Sequence, residues 1–463
     1  MMRLRSIGIC VAAAMLSGPA CAVKQPPLPA DSLNSVLPET TTVPIEWKAS
    51  GGSAGAVSTE WVQTFADAQL EALIAEALFR NLDLKAAAAR VDIAASLVVQ
   101  ARSLLYPQFV ALGSVGAVGR DSTFDRAGLA GEISWELDLW GRVRAQSASA
   151  TAGREATEAD LLHARQSLAA LVATMWYQTI ATEQLRRTAA EAAGIYESLL
   201  KLVRTKNEFG QIGAQDVALA GADLDRARQR ERRFATSSQQ IGRGLEVMVG
   251  RYPAFELTVA RDLPTVPGPV PDGLPSDLIA RRPDLVAAER RMAAAFHTIQ
   301  ASEAARLPRI ALTAGGGRST SDLLRLAEVG AGFWRVGADV IAPIFTGGAL
   351  QARVAQANAE QQAALALYGQ TALRAFSEVE TSLASEELLA DQQKYLESVL
   401  AQDAEALRLG RLRYDAGATD FLSVLQLQSR LLSTQFDLIA IRNDRLANRV
   451  ALHLALGGGF AVP

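Results

Sequence analysis

The sequence predicts a mainly α-helical chain in which long helical hairpins flank four short β-strands, the whole pattern being built twice. Three observations predict it. First, in residues 131–142 the apolar Ile133, Trp135, Leu137 and Leu139 alternate with Glu132, Ser134, Glu136 and Asp138. An extended strand of that pattern has one oily face and one carboxylate face. Second, no proline occurs over residues 108–252 or 344–462, so each half has room for a helix of ~65 residues, about 100 Å long. Third, Asp83, Leu84, Ala86, Ala87, Arg90 and Pro107 recur in the same order as Asp284, Leu285, Ala287, Ala288, Arg291 and Pro308. Such a recurrence marks a tandem duplication.

The chain begins with the pattern of a secretory signal over residues 1–20. Arg3 and Arg5 supply the positive start, and residues 7–16 the apolar core. Two cleavages compete. Gly18-Pro19-Ala20-Cys21 resembles a lipoprotein signal, in which Cys21 is acylated and becomes the first residue. Ala20-Cys21-Ala22 also satisfies the small-x-small rule, which discards Cys21. The other cysteine, Cys10, lies inside the signal, so the exported chain is expected to rely on packing and not on disulfides. Residues 21–60 hold Pro26, Pro27, Pro29, Pro38 and Pro44 and read as an extended tether.

The first repeat is expected over residues 61–252. A helical pattern with Leu70, Leu73, Ile74, Ala77 and Leu78 on one face runs from Asp67 to Leu105 and stops before Pro107. Strands are expected at ~108–120 and ~128–140, joined by a polar turn near residues 121–126, before the long helix that follows Gly141. A glycine break at Phe209-Gly210-Gln211-Ile212-Gly213 turns that helix back on itself. Residues 253–275 form a proline-dense crossover, with Ser276 as the expected cap of the next helix and Pro283 in the first turn of the one after. The second repeat, 276–463, has strands at ~309–317 and ~332–342, where Trp334, Val336, Ala338 and Val340 alternate with Phe333, Arg335, Gly337 and Asp339. Its long helix breaks between Tyr414 and Asp420. The returning helix carries a coiled-coil seam of Val424, Leu427, Leu431, Thr434, Leu438 and Ile441.

Strands of about ten residues suit a tilted bilayer crossing. Four strands cannot close a barrel, and an open edge in lipid leaves backbone amides unsatisfied at several kcal/mol each. Two chains give a narrow barrel of about eight strands and three give about twelve; a homotrimer also lets the helices enclose a wide tube. In such a barrel Glu132, Glu136, Asp138 and Asp339 face the lumen, and Ile133, Trp135 and Leu137 face lipid.

At 463 residues, with 49% hydrophobic and 21% charged residues and a net charge of −3, the chain is foldable and gives no electrostatic reason to bind nucleic acid. Its three histidines, His163, His297 and His453, are not at metal-ligand spacing, and its six methionines are scattered. No catalytic constellation stands out, and neither an enzymatic activity nor a metal or cofactor is expected.

Several motifs resemble the outer-membrane factor (TolC) family, in the lipoprotein-type branch that serves resistance-nodulation-division pumps. Residues 273–278 (Gly-Leu-Pro-Ser-Asp-Leu) are followed by Arg281-Arg282-Pro283-Asp284-Leu285 and Ala288-Glu289. Trp61, Phe65 and Asp67 precede them, as do residues 136–142; residues 343–348 (Pro-Ile-Phe-Thr-Gly-Gly) and 455–460 (Ala-Leu-Gly-Gly-Gly-Phe) follow. The resemblance implies a homotrimer with a shared twelve-stranded outer-membrane barrel and a periplasmic helical tunnel, lipid-anchored at Cys21. It implies an exit duct that conducts drugs or other small molecules passively, joined by a periplasmic membrane-fusion adaptor to an inner-membrane pump. It also implies that Phe209, Gly210, Ile212, Gly213, Tyr414, Gly417, Thr419 and Phe421 form the periplasmic tips that meet the adaptor. Asp216 and Asp420 are candidates for a ring of charge at the pore constriction. Glycine turn geometry and helix capping account for the same residues without a partner. Two other readings are a type I protein-secretion duct of the same fold and a coiled-coil adaptor; the second leaves the four strands unexplained.

Overall fold

The computed structural model describes residues 23–38, 41, 43–49, 60–116, 126–271, 273, 275–320 and 332–458. The signal segment, Cys21, the strand end at 117–120, residues 121–125 of the expected turn, Leu274 and Phe460 lie outside the described residues. The chain forms two compact units, one of residues 1–41, 88–160 and 284–371 and the other of 42–87, 161–283 and 372–463.

The duplication is legible in element lengths. Helix α3 (Leu82–Ser103) and α7 (Pro283–Ala304) each have 22 residues. Helices α4 (Arg142–Glu208) and α8 (Ala349–Asp415) each have 67, and α5 (Ala214–Met248) and α9 (Phe421–Ala455) each have 35. Before them stand α1 (Pro29–Val36), a 3-10 turn (Trp61–Phe65) and α2 (Ala68–Arg80); α6 (Pro275–Arg281) precedes α7. Among the described residues no helix is long and apolar enough to cross a membrane.

The first unit holds one antiparallel sheet in the order β1 (Gln108–Gly116), β2 (Arg126–Glu136), β3 (Arg309–Thr320), β4 (Gly332–Ile341). Strands from the two halves pair directly, β2 with β3, placing Trp135 opposite Leu312 and Glu132 opposite Gly315. Among the described residues β1 and β4 are the edges. Strand β2 ends at Glu136, short of the expected 140. The polar and apolar alternation continues through Leu139, but Asp138 has φ 41°, which ends extended structure. Leu137 adds one ladder bond, its N–H to Ile310 O at 2.9 Å.

The second unit is built around a core of Trp61, Phe65, Leu70, Ile74, Trp176, Tyr177, Leu245 and Leu446. Asp67 organises its edge. One carboxylate oxygen accepts from Gln69 and Leu70 N–H at 3.0 Å, capping α2, and the other accepts Trp176 Nε1–H at 2.8 Å. The single helical pattern expected from Asp67 to Leu105 is broken at Asn81. Its Oδ1 caps α3 through Asp83 and Leu84 N–H, while its Nδ2 donates to Met248 O.

Helices α5 and α9 end alike. Gly250 (φ 77°) and Gly457 (φ 69°) close Schellman turns, Arg251 N–H to Glu246 O and Gly458 N–H to His453 O. Each glycine lies against the last residue of a short helix, α2 or α6. A Cβ on Gly250 would meet Arg80, and one on Gly457 would meet the Arg281 backbone. Arg282, buried, binds Glu378 and the Ala455 carbonyl. The Arg-Arg-Pro motif thus ties α6 and α7 to the end of α9.

Two readings are corrected here. The expected tether contains the helix α1, with Leu33 buried, because Pro29 suits a first turn and Ser32 Oγ bonds Leu28 O. Helix α6 begins at Pro275, so Ser276 lies inside it and not at its cap. The proline-dense crossover is held by side chains of the second unit. Buried Glu246 accepts Phe255 and Glu256 N–H at 2.6 Å, and Arg449 binds the Pro267 and Gly268 carbonyls.

Candidate functional site

Two regions gather the candidate residues, one in each unit. In the first, the sheet register sorts side chains by face. Ile133 and Trp135 share a face with Phe109, Leu312, Trp334 and Val336. Trp334 is 83% and Val336 76% exposed in the single chain, an area too apolar to be left in water.

The opposite face carries Glu132, Ser134 and Glu136 with Thr313, Arg335 and Asp339. Its charges are paired. Arg335 Nη2 reaches Glu132 Oε1 at 2.9 Å across β3, passing over Gly315, where a side chain would crowd it. Thr313 Oγ1 donates to Asp339 at 3.3 Å. Glu136 is held in a fork by Arg142, at 3.0 Å from Nε and 2.8 Å from Nη2. Arg335 was visible in the alternation of β4, but its pairing with Glu132 needed the register.

Asp138, expected on this face, is not a strand residue. Its carboxylate caps α4 through Val143 N–H at 2.8 Å and Arg144 N–H at 3.0 Å, and pairs with Arg144 Nε at 3.1 Å. The positive φ at Asp138 and Gly141 lets the chain turn from strand to helix within five residues. Gly347 (φ 59°) and Gly348 (φ 86°) make the matching turn after β4.

In the second unit the helical hairpins turn at Gly210 (φ 70°) and Gly417 (φ 73°). Both are Schellman ends, with Gln211 N–H on Lys206 O and Ala418 N–H on Arg413 O. The two turns are held together. Lys206 Nζ donates to Tyr414 Oη at 2.9 Å and lies 4.2 Å from the ring centroid, while within the first turn Asn207 Nδ2 donates to Ile212 O. Lys206 was not singled out from sequence, since a lysine near a helix C-terminus is ordinarily read as a dipole partner.

Phe209 is 75% exposed, and Gly210, Gly213 and Gly417 are exposed. Thr419 and Ile212 are half-buried. Phe421, expected at the contact surface, is buried in a cluster with Leu200, Leu224 and Leu425 and stands 5.9 Å from the Tyr414 ring. It supports the tip from within, as part of the apolar cluster between the hairpin helices. Asp420 caps α9, its carboxylate accepting Ser423 N–H at 2.9 Å. The Ser423 hydroxyl and backbone hydrogen bonds hold its carboxyl below the usual carboxylate range. Asp216 occupies the first turn of α5, half-buried. In the returning helix, Val424, Thr434, Leu438 and Ile441 of the predicted seam are buried.

A sheet with one oily and one charged face, joined to helices of 67 residues, is the geometry of a chain that lines a passage. The comparisons agree. The family model for "Outer membrane efflux protein" matches residues 73–251 and 274–458. The chain is 31% identical over 411 residues to the probable efflux pump outer membrane protein TtgC of Pseudomonas putida, covering 86% of this chain and 85% of the relative. It is 32% identical over 440 residues to the pyoverdine export outer membrane protein OpmQ of Pseudomonas aeruginosa, covering 90% and 91%. It is also similar to the solved outer-membrane channel OprN, with a TM-score of 0.84 and 28% identity over 91% of this chain and 97% of that one. These relatives support an efflux channel over a protein-secretion duct and leave no place for an enzyme. This chain belongs to the outer membrane efflux protein family, and acts as an outer-membrane channel of an efflux system.

Proposed function

We propose that the chain works as a homotrimeric exit duct, joined through a periplasmic membrane-fusion adaptor to an inner-membrane pump of the resistance-nodulation-division type. The two-faced sheet with open edges carries this reading. β1 and β4 are edge strands of opposite direction, so β4 of one copy can pair antiparallel with β1 of the next, and rotation closes the ring. Three copies make a barrel of about twelve strands with no edge left in lipid. Ile133 and Trp135 then face lipid, with Leu137 at the strand end. Glu132, Glu136 and Asp339 face the lumen, their charge moderated by Arg335 and Arg142.

On this reading Cys21 carries the lipid anchor, and residues 61–252 and 276–463 are two copies of one unit joined by the crossover. The exposed Phe209, Gly210, Gly213 and Gly417 meet the adaptor, with Ile212, Tyr414 and Thr419 shaping the surface. Asp216 and Asp420 narrow the mouth and add charge. Substrate choice rests with the pump. The relatives are named for compounds as unlike as toluene, pyoverdine and cations, which a duct of one fold conducts only if it binds none of them tightly.

The test is complementation. The chain, expressed in cells that keep an adaptor and a resistance-nodulation-division pump but lack their own outer-membrane channel, is expected to restore resistance to compounds of that pump. Restoration only of protein export would replace the efflux reading with the secretion one.

A further inference from the structure

Helices α3 and α7 are duplicates of equal length, yet one face of α3 is bare where α7 is covered. Helix α7 lies on α4. Arg290 pairs with Glu155 at 3.2 Å, Arg291 pairs with Asp160, and the Thr298 and Ser149 hydroxyls stand 3.0 Å apart. The α4 face that receives them runs Ala145, Ser149, Ala152, Ala156, Asp160, a spacing of three and four that follows one side of a helix. Its three alanines are 6% exposed or less. Position for position, α3 presents Arg90, Ile93, Leu97 and Gln100 where α7 has Arg291, Ala294, Thr298 and Ala301. All four are exposed, Ile93 by 60% and Leu97 by 53%. Bulky apolar side chains in a row on a helix face call for a cover.

The matching cover is on α8. Ala352, Gln356, Ala359, Ala363 and Leu367 hold the positions that Ala145, Ser149, Ala152, Ala156 and Asp160 hold on α4, and here all five are exposed. Helix α3 touches its own α4 from another side, Arg102 Nη2 donating to Thr151 Oγ1 at 3.4 Å, so its bare face points away from that contact. We infer that α8 of one copy covers α3 of the next, as α4 covers α7 within a chain. The partner is a second copy because α8 follows β4 and α3 leads into β1. These are the two edge strands, and the rotation that closes the sheet brings the two flanks together. The inference rests on the shared barrel proposed above. The two seams differ in chemistry. Leu367 stands where Asp160 does and Gln362 where Glu155 does, so the seam between copies replaces ion pairs with apolar contact, Leu97 meeting Gln356 and the Arg90 stem meeting Leu367. Helix α7 cannot take the place of α3 there without setting Arg291 against Leu367, and that mismatch selects the partner.

The experiment introduces Leu97→Cys together with Gln356→Cys in the full sequence, expressed in bacteria and extracted from membranes in mild detergent. The matching side chains of the inner seam, Thr298 and Ser149, are in contact, which puts the two thiols within disulfide reach. Oxidation with copper phenanthroline should link most chains into dimers and trimers on denaturing gels, reversed by dithiothreitol, while either single variant stays monomeric. Ser149→Cys/Thr298→Cys should lose its free thiols and remain a monomer. Monomers alone from the first pair, beside a linked inner pair, overturn the seam. Dimers from Leu97→Cys alone would set α3 against α3 and overturn it as well. A steric variant reads the same contact without a disulfide. Ala359→Trp is harmless on a bare surface but overfills a covered one, and should lower the yield of assembled particles about ten-fold; full yield contradicts the seam. The parent's particle mass separates the two claims. Three chains without cross-links leave the duct standing and remove this seam, whereas a monomeric parent removes both.

Discussion

His453 is 2% exposed and stacked on Trp61 at 5.6 Å, and neither ring nitrogen has a hydrogen-bond partner among the described residues. Burial, then the nearby Arg449, pushes its pKa down to about 4, with Glu386 opposing them. The folded chain therefore keeps this ring neutral, while the unfolded chain protonates it near pH 6.5. Its contribution to stability is complete above about pH 6.5, declines between 6.5 and 4, and levels off below, a difference of roughly 3 kcal/mol per chain. His453→Phe preserves the stacking and should flatten the fall in melting temperature between pH 6.5 and 4; an unchanged slope would assign that titration to other groups. Gly317 offers a steric test. A Cβ there would stand 2.4 Å from the Leu129 carbonyl oxygen on the neighbouring strand, so Gly317→Ala should lower the heat resistance of the assembled particle on gels. The glycine run was legible as strand, but its need for close approach was not, since that depends on which strand lies beside it.

At the scale of elements, proline-free length foretold the 67-residue helices, and the glycine breaks foretold the turns at Gly210 and Gly417. The break at Asn81 was hidden. The apolar period runs through it, and the partner that fixes it, Met248, is distant in sequence. Asp138 misled for the opposite reason, since its alternation is that of a strand while its backbone is that of a turn. Asp420 was legible as a turn residue, and its capping bond sharpens the test of its role at the mouth. Asp420→Asn keeps the cap and removes the charge, so it should raise single-channel conductance without changing helix content. Asp420→Ala should raise conductance and also fray the start of α9. Unchanged conductance in both would remove Asp420 from the constriction. For the sheet, Trp135→Arg places a charge on the oily face and should block assembly in the membrane; normal insertion would reverse the assignment of faces.

For the whole molecule, family and architecture were readable because the motifs span nearly the full length and the duplicated halves match in element lengths. The pairing of β2 with β3, which fuses the two halves into one sheet, was not readable, since no local pattern specifies it. Nor was the divergence between the halves. At matching positions of α5 and α9, Glu246 grips the crossover while His453 packs on Trp61. What remains is closure, since the four strands among the described residues leave two edges. The most direct measurement is the mass of the particle extracted in detergent from bacterial membranes after expression of the full sequence, corrected for bound detergent. The account predicts three chains per particle, and a soluble monomer or any other chain count would contradict it.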